Sequence, residues 1–331
     1  MGARFEDTDD STSFDMLPLC ERVRTSCRRV SDAATLVTID DAALERLIDR
    51  LDLGPGESDS ERSSNEVVVD SELREEEHAP AMLVLALDAI NFGSGYHDIV
   101  RKRPGLSGSR TMAMSLEEYV GWTGPLTPGR LQHITVSDCS QIFGQELDDG
   151  ALEELMVLFA AALVDLGEWL DVVGGIGDVL ARTQGSAEAF AERLTEIPFY
   201  RDVEQYEGKP VAFYKRAQIT AADLSRRIRT SLFGDLHRLT AFADNLVPHV
   251  LRVEGAIDVD AELAAAIRAG ILLDPGSDAE VEIRAAGVEC VERLAARTGL
   301  MAMDLDAALW QRGSLPQMKA TPRHRARSVF Y

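Results

Sequence analysis

Three short stretches hold the residues best suited to chemistry. FADNLVPH (Phe242 to His249) sets a single carboxylate, Asp244, among Leu239, Phe242, Leu246 and Val247. A carboxylate in apolar surroundings is costly unless it is paired, hydrogen-bonded or functional. Asp244 is therefore either a reactive group or the cap of a turn leading into Val247 and Pro248. FYKRAQITAADL (Phe213 to Leu224) places Lys215 and Arg216 where a helix should begin, with Gln218 close behind. Two cations there could hold a phosphate, because a helix N-terminus adds its own partial positive charge. They could equally pair with Asp202, Glu204 or Glu207 as a surface network. In DLDAALWQRG (Asp304 to Gly313), Asp306 and Trp310 taken alone read as a helix cap and a core aromatic.

Other chemistries have weaker footing. Gly174-Gly175-Ile176-Gly177 follows a helical pattern rather than a strand, so it reads as a helix terminator and not as a dinucleotide fingerprint. The six histidines form no HxxxH or HExxH spacing, so no metal is expected. No GxSxG accompanies a serine nucleophile. The four cysteines (Cys20, Cys27, Cys139, Cys290) are widely spaced without a CxxC, which points to reduced structural thiols.

These residues sit in a 331-residue chain with 45% apolar residues and a net charge of -22. Nucleic-acid binding by counterion release needs a basic surface, so a polymeric nucleic acid is not an expected partner. The charge is uneven. Nine acids and two arginines lie between Glu57 and Glu77, whereas Arg323, Arg325 and Arg327 close the sequence with no acid among them. A local cationic pocket for one small anion is thus open to this chain. No run is long and apolar enough to span a bilayer, and no secretory pattern opens the sequence. A cytoplasmic protein with no membrane partner is expected.

The elements that must position these groups are mostly helical. Residues 1–14 read as a disordered polar tail, and 15–331 as one two-lobed, mainly α domain with a small β element. Helical patterns run from Asp15 to Leu53, with Asp40 or Asp41 as an internal cap and Gly54-Pro55-Gly56 as a stop. They recur over Asp148 to Val173, Ser186 to Leu194, Thr220 to Leu232, Ala261 to Leu273 and Ala279 to Arg297. Ala81 to Phe92 is so continuously apolar that a buried helix and a strand both fit. ESDSERSSNE, Pro104 to Arg110 and Gly124 to Gly129 read as loops. PVAFY (Pro210 to Tyr214) and RSVFY at the end of the sequence are the strand candidates. Glu280, Glu282 and Arg284 share a helical ridge, where structural ion pairing is the expected role.

The stretch FYRDVEQYEGKPVAFYKRAQI, the FAD of Phe242 to Asp244 and the closing TPRHRARSVFY together resemble the queuosine salvage protein family. Further matches are the EVEIR at Glu280 and LDAINFGSGYH, which keeps Asp88, Asn91 and Phe92. The resemblance implies hydrolysis of queuosine 5'-monophosphate to release the base queuine, without a cofactor, on a fold similar to helix-hairpin-helix DNA glycosylases. It implies that Asp244 is the catalytic carboxylate at the anomeric carbon and that Phe242 contacts the base. Asp306, with Trp310, would read the base, since a carboxylate can accept both N–H groups of a guanine-like edge. Ala307 and Gln311 stand where the family has a base-contacting Tyr and Asp, and Asn245 where it usually has Tyr. Lys215 with Arg216, or a C-terminal arginine, would hold the phosphate, and Asp202 and Tyr200 belong to the same matched stretch. The alternatives are a non-catalytic helical nucleic-acid-binding module and a hydrolase of a different nucleotide.

Overall fold

The computed structural model describes residues 14–51, 69–70, 72–147 and 150–331. The expected polar tail up to residue 13, the Gly54-Pro55-Gly56 stop and the ESDSERSSNE loop lie outside the described residues. In chain order the helices and strands are α1 (Leu19–Ala33), β1 (Val37–Ile39), α2 (Asp41–Ile48), α3 (His78–Ala89), α4 (Gly108–Thr123), α5 (Pro128–Leu131), α6 (Val136–Phe143), α7 (Gly150–Val173), α8 (Ile176–Thr183) and α9 (Ala187–Leu194). These are followed by β2 (Val203–Tyr206), β3 (Lys209–Ala212), α10 (Lys215–Arg227), α11 (Leu246–Val253), β4 (Ile257–Val259), α12 (Ala261–Arg268), α13 (Asp278–Thr298), α14 (Ala302–Arg312) and α15 (Pro316–Ala320). Over the described residues the protein is mainly helical with two small sheets, as the helical periodicity implies.

Local chemistry accounts for the boundaries. Asp40 caps α2 through the amides of Ala42 and Ala43. Ser186 and Ser277 cap α9 and α13 in the same way, and Gly299, left-handed at φ +71, closes α13. The apolar run from Ala81 resolves as helix α3, which ends at Ala89. The Asp15 to Leu53 pattern breaks into α1 and α2 because Val37–Ile39 pairs with Ile257–Val259 as an antiparallel ribbon. That partner is more than 200 residues away, so local periodicity could not show it. The β2–β3 hairpin turns through Glu207 and Gly208, both at positive φ, the requirement of a tight two-residue turn. RSVFY forms no strand; Ala326 makes one isolated bridge to Leu273.

Helix α13 is the axis of the site-bearing half. It is buried on nearly every face from Glu280 to Val291, because α1, α2, α11, α14 and β1 all pack on it. Contact with α11 is close: a Cβ at Gly287 would lie 2.7 Å from Pro248 Cγ, so only glycine admits this spacing. The polar residues of α13 are matched inside the core. Glu282 accepts from the amides of Leu36 (2.8 Å) and Val37 (3.0 Å) and from the Tyr206 hydroxyl (2.9 Å). Arg284 forks onto Asp202, at 3.1 and 2.7 Å, and its Nε donates to the carbonyl of Ala243 at 3.0 Å. Its plane lies 3.9 Å from the ring centre of Phe213 and 4.7 Å from that of Tyr331. Burial works against the Arg284 charge, but Asp202 and Glu280 hold its pKa above the usual value.

Removing one member of such a buried pair strands the other. Arg284→Met should therefore destabilise the fold by about 3–5 kcal/mol, read as a lower urea midpoint. An unchanged midpoint would show that Asp202 does not depend on Arg284.

Candidate active site

The loop before α11 carries Phe242, Ala243 and Asp244. Asp244 is half-buried, and its Oδ1 accepts from the amides of Leu246 (2.8 Å) and Val247 (3.0 Å). The capping reading is thus correct for one oxygen, and it fixes the carboxylate without occupying Oδ2. Ala243, its neighbour, is the residue whose carbonyl receives Arg284. Phe242 is buried, and its amide donates to Asp306 Oδ1 at 3.0 Å. Asp306 is therefore no helix cap: it lies inside α14 and ties that helix to the Asp244 loop. Burial and the Asp244 charge push the Asp306 carboxyl well above the usual carboxylate range, while the Phe242 amide and Lys215 oppose this.

Lys215 opens α10 in a strained setting. Tyr214, just before it, holds a left-handed conformation at φ 49 that a bulky residue rarely adopts. Asp202 sustains this turn. Its carbonyl accepts from Phe213 (3.0 Å) and Tyr214 (3.3 Å), and its Oδ2 from the Lys215 amide (3.2 Å). Gln218 then clasps Thr240, accepting from its amide at 2.9 Å and donating to its hydroxyl at 2.9 Å, which links α10 to the Asp244 loop. Lys215 itself is only 4% exposed, and its Nζ donates to the Asn91 carbonyl at 3.0 Å. Burial lowers its pKa, and the charges of Asp244, Asp88 and Asp306 pull the other way. One cation thus stands among three carboxylates.

Arg216 borders that cluster, but its guanidinium is engaged elsewhere. It is fully buried and donates to the carbonyls of Ala89 and Phe199. Its guanidinium lies 4.8 Å from the Phe92 ring centre and 5.0 Å from that of Tyr200, and burial lowers its pKa to about 10. Neither Lys215 nor Arg216 forms the surface network with Glu204 or Glu207 that the sequence left open. Tyr200 and Asp202 are likewise enclosed, Asp202 by its fork with Arg284. Trp310 stands one turn beyond Asp306 on α14 and is 54% exposed, so it is not a core aromatic; Ala307 is half-buried and Gln311 exposed.

A second cation comes from the final residues. Arg323 is half-buried and faces Asp244; burial lowers its pKa, and the Asp244 charge counters that shift. The segment that carries it is pinned along its length. Arg252 donates to the Pro322 carbonyl (2.5 Å), Asn245 to the His324 carbonyl (3.2 Å), Leu273 to that of Arg325 (2.8 Å) and Gly93 to that of Tyr331 (3.0 Å). A Cβ at Gly95 would meet the Ala326 carbonyl oxygen at 2.5 Å, which explains glycine there. Asn245, to which the sequence assigned no role, is one of these ties. The run of three arginines signalled cationic chemistry, but only the tertiary path singles out Arg323.

A helical scaffold that holds one half-buried carboxylate among buried charges has the makings of an enzyme pocket. The family model for the queuosine salvage protein matches residues 72–331. The chain is 33% identical over 324 residues to the queuosine 5'-phosphate N-glycosylase/hydrolase of Sphaerobacter thermophilus, covering 93% of this chain and 97% of that protein. It is 31% identical over 211 residues to the protein of the same name from Dictyostelium discoideum, covering 61% of this chain and 64% of that one. With the mouse protein of that name it shares 32% over 176 residues, covering 48% and 52%. The chain belongs to the queuosine salvage protein family.

The cap that Asp244 forms yields a stability test. Asn caps helices nearly as well as Asp, whereas Ala does not, so Asp244→Ala should cost about 1 kcal/mol and Asp244→Asn little. Equal melting temperatures for the two variants would show that the cap contributes nothing.

Proposed function

We propose that this chain hydrolyses the N-glycosidic bond of queuosine 5'-phosphate, releasing queuine and ribose 5-phosphate, with Asp244 acting at C1'. The observation that carries this reading is the position of Asp244. Its backbone is fixed by Arg284, one oxygen is held by the cap, and Lys215, Asp306 and Arg323 surround it.

The base of this nucleotide is a 7-deazaguanine. Position 7 is carbon and cannot be protonated as a purine N7 can, so catalysis must act mainly on the sugar. The bond from C1' to the base lengthens first, and positive charge collects on C1' and the ring oxygen. A fixed carboxylate beneath C1' stabilises that charge electrostatically or by transient attack. Water then adds its hydroxyl to C1', and the base leaves with the proton. Asp306 retains Oδ2 for the two N–H donors of the guanine-like edge, and Lys215 offsets its negative charge once it ionises. Phe242 and Trp310 would bracket the base. The secondary amine of queuosine, cationic at neutral pH, suits an acidic surround.

For the 5'-phosphate, Arg323 and Lys215 are the better-supported pair, since the guanidinium of Arg216 is already engaged by two carbonyls. The acidic chain as a whole argues against a nucleic-acid polymer, and the local cations Lys215 and Arg323 suit a single small anion. Among the described residues no helix is long and apolar enough to cross a membrane. The four cysteines are free and buried, which fits a reducing, cytoplasmic setting. We read residues 15–331 as one catalytic unit akin to helix-hairpin-helix DNA glycosylases; its helical content and continuous core support this.

Product analysis by mass tests the reaction. The expected products from queuosine 5'-phosphate are queuine and ribose 5-phosphate, and Asp244→Asn should give neither while remaining folded. Inorganic phosphate with intact queuosine would refute a glycosidase. A charge-assisted contact contributes about 1.5–3 kcal/mol, so the nucleoside should be roughly 10- to 150-fold poorer than the nucleotide. Arg323→Gln should narrow that gap, and equal rates for both substrates in the parent enzyme would remove the phosphate clamp.

A further inference from the structure

Asp88 is a buried acid that the reaction above does not use. It lies in the last turn of α3, is 3% exposed, and its Oδ2 has no hydrogen-bond partner among the described residues. Its Oδ1 receives a long contact, 3.5 Å, from the side-chain amide of Asn91, and the Thr220 side chain lies close enough to act on the carboxyl. The same Asn91 presents its backbone carbonyl to Lys215 Nζ at 3.0 Å. Asp88, Asn91 and Lys215 therefore form a chain of contacts that reaches from the core to the Asp244 cluster.

We propose that Asp88 is a positioning residue for the reaction at Asp244: as a neutral acid it anchors Asn91, which sets the Lys215 ammonium beside Asp244 and Asp306. This rests on the glycosidase reading given above. An ionised carboxylate with one oxygen unpaired in a desolvated core is expensive, whereas the protonated form is not. A neutral Asp88 leaves the Lys215 charge for Asp244, Asp306 and the incoming phosphate. An ionised Asp88 would compete for it.

The charged and titratable groups facing Asp88 are Lys215, Arg216 and Asp223 of α10 and Tyr200 of the 198–200 turn. Those facing Lys215 are Asp244, Asp88, Arg216 and Asp306. Burial, then the Asp223 charge, pushes Asp88 up to about 8, against the opposing pull of Lys215, Asn91 and Thr220. The linkage follows in sign. An acid whose folded pKa is raised keeps its proton in the fold after the unfolded chain has lost it, so its contribution to stability falls as pH rises from about 4 to about 8 and is constant above that.

Two measurements on Asp88→Asn and Asp88→Ala test this. In turnover of queuosine 5'-phosphate at pH 7, Asp88→Ala should lose about 100-fold in kcat/KM, the scale of a small misplacement in an active site. Asp88→Asn, which keeps the shape and the hydrogen bond to Asn91, should restore most of that loss. In thermal melts Asp88→Asn should be more stable than the parent at pH 8, with the gap narrowing towards pH 5. If the Asn variant melts below the parent at pH 8, Asp88 is half of an ion pair with Lys215 and the proposal fails. It also fails if Asn is as impaired as Ala, or if Ala is unimpaired. Should the parent release no queuine at all, the functional reading falls, and the melts still decide whether Asp88 is neutral. The isosteric Asn variant carries both tests if Ala does not fold.

Discussion

The fork between Arg284 and Asp202 organises the half of this protein that carries Asp244. Asp202 holds the carbonyl and carboxylate contacts that turn the chain through Tyr214 into α10. Arg284 holds the Ala243 carbonyl next to Asp244 and stacks on Phe213 and on Tyr331. One buried guanidinium thus touches the approach to α10, the Asp244 loop and the final segment. A hydrophobic residue of similar size could fill the volume but could not set three backbones in register. Buried ion pairs add little net stability over apolar replacements, so specification of geometry is the better explanation for this one.

Around Asp244 cations and acids are interleaved. The chain is strongly acidic, yet the half-buried carboxylate is flanked by Lys215 and Arg323, from elements more than a hundred residues apart in sequence. Lys215 balances carboxylates already in the fold, and Arg323 arrives on a segment stitched down by Arg252, Asn245, Leu273 and Gly93. A nucleotide monophosphate brings a phosphate and a donor-rich base edge. In the proposed reading the cluster offers cations for the first and Asp306 for the second.

The sequence revealed features carried by local chemistry. Gly174 and Gly175 end α7, and Asp40 caps α2, as their residue types imply. Glu280 and Arg284, one turn apart, form the expected structural ion pair, whereas Glu282 faces away from them and binds the Leu36 and Val37 amides and the Tyr206 hydroxyl instead. Alternatives that depend on tertiary partners stayed open or fell. Asp306 looked like a cap because the Phe242 amide that it receives is 64 residues away. Arg216 looked like a phosphate ligand because its two carbonyl partners lie in α3 and the 198–200 turn. β1 was hidden inside a helical pattern for want of β4. The cap that Asp244 forms was legible in its residue type; its proposed role at C1' rests on the family resemblance.

The most direct measurement is a crystal structure of Asp244→Asn, which should bind without turning over, soaked with queuosine 5'-phosphate. The sugar C1' should lie about 3–3.5 Å from the side chain at position 244, the reach of a reacting pair. The guanine-like edge should face Asp306, with the phosphate beside Arg323 and Lys215. A phosphate seated against position 244, with the sugar turned away from it, would contradict the assignment of Asp244 to the glycosidic bond.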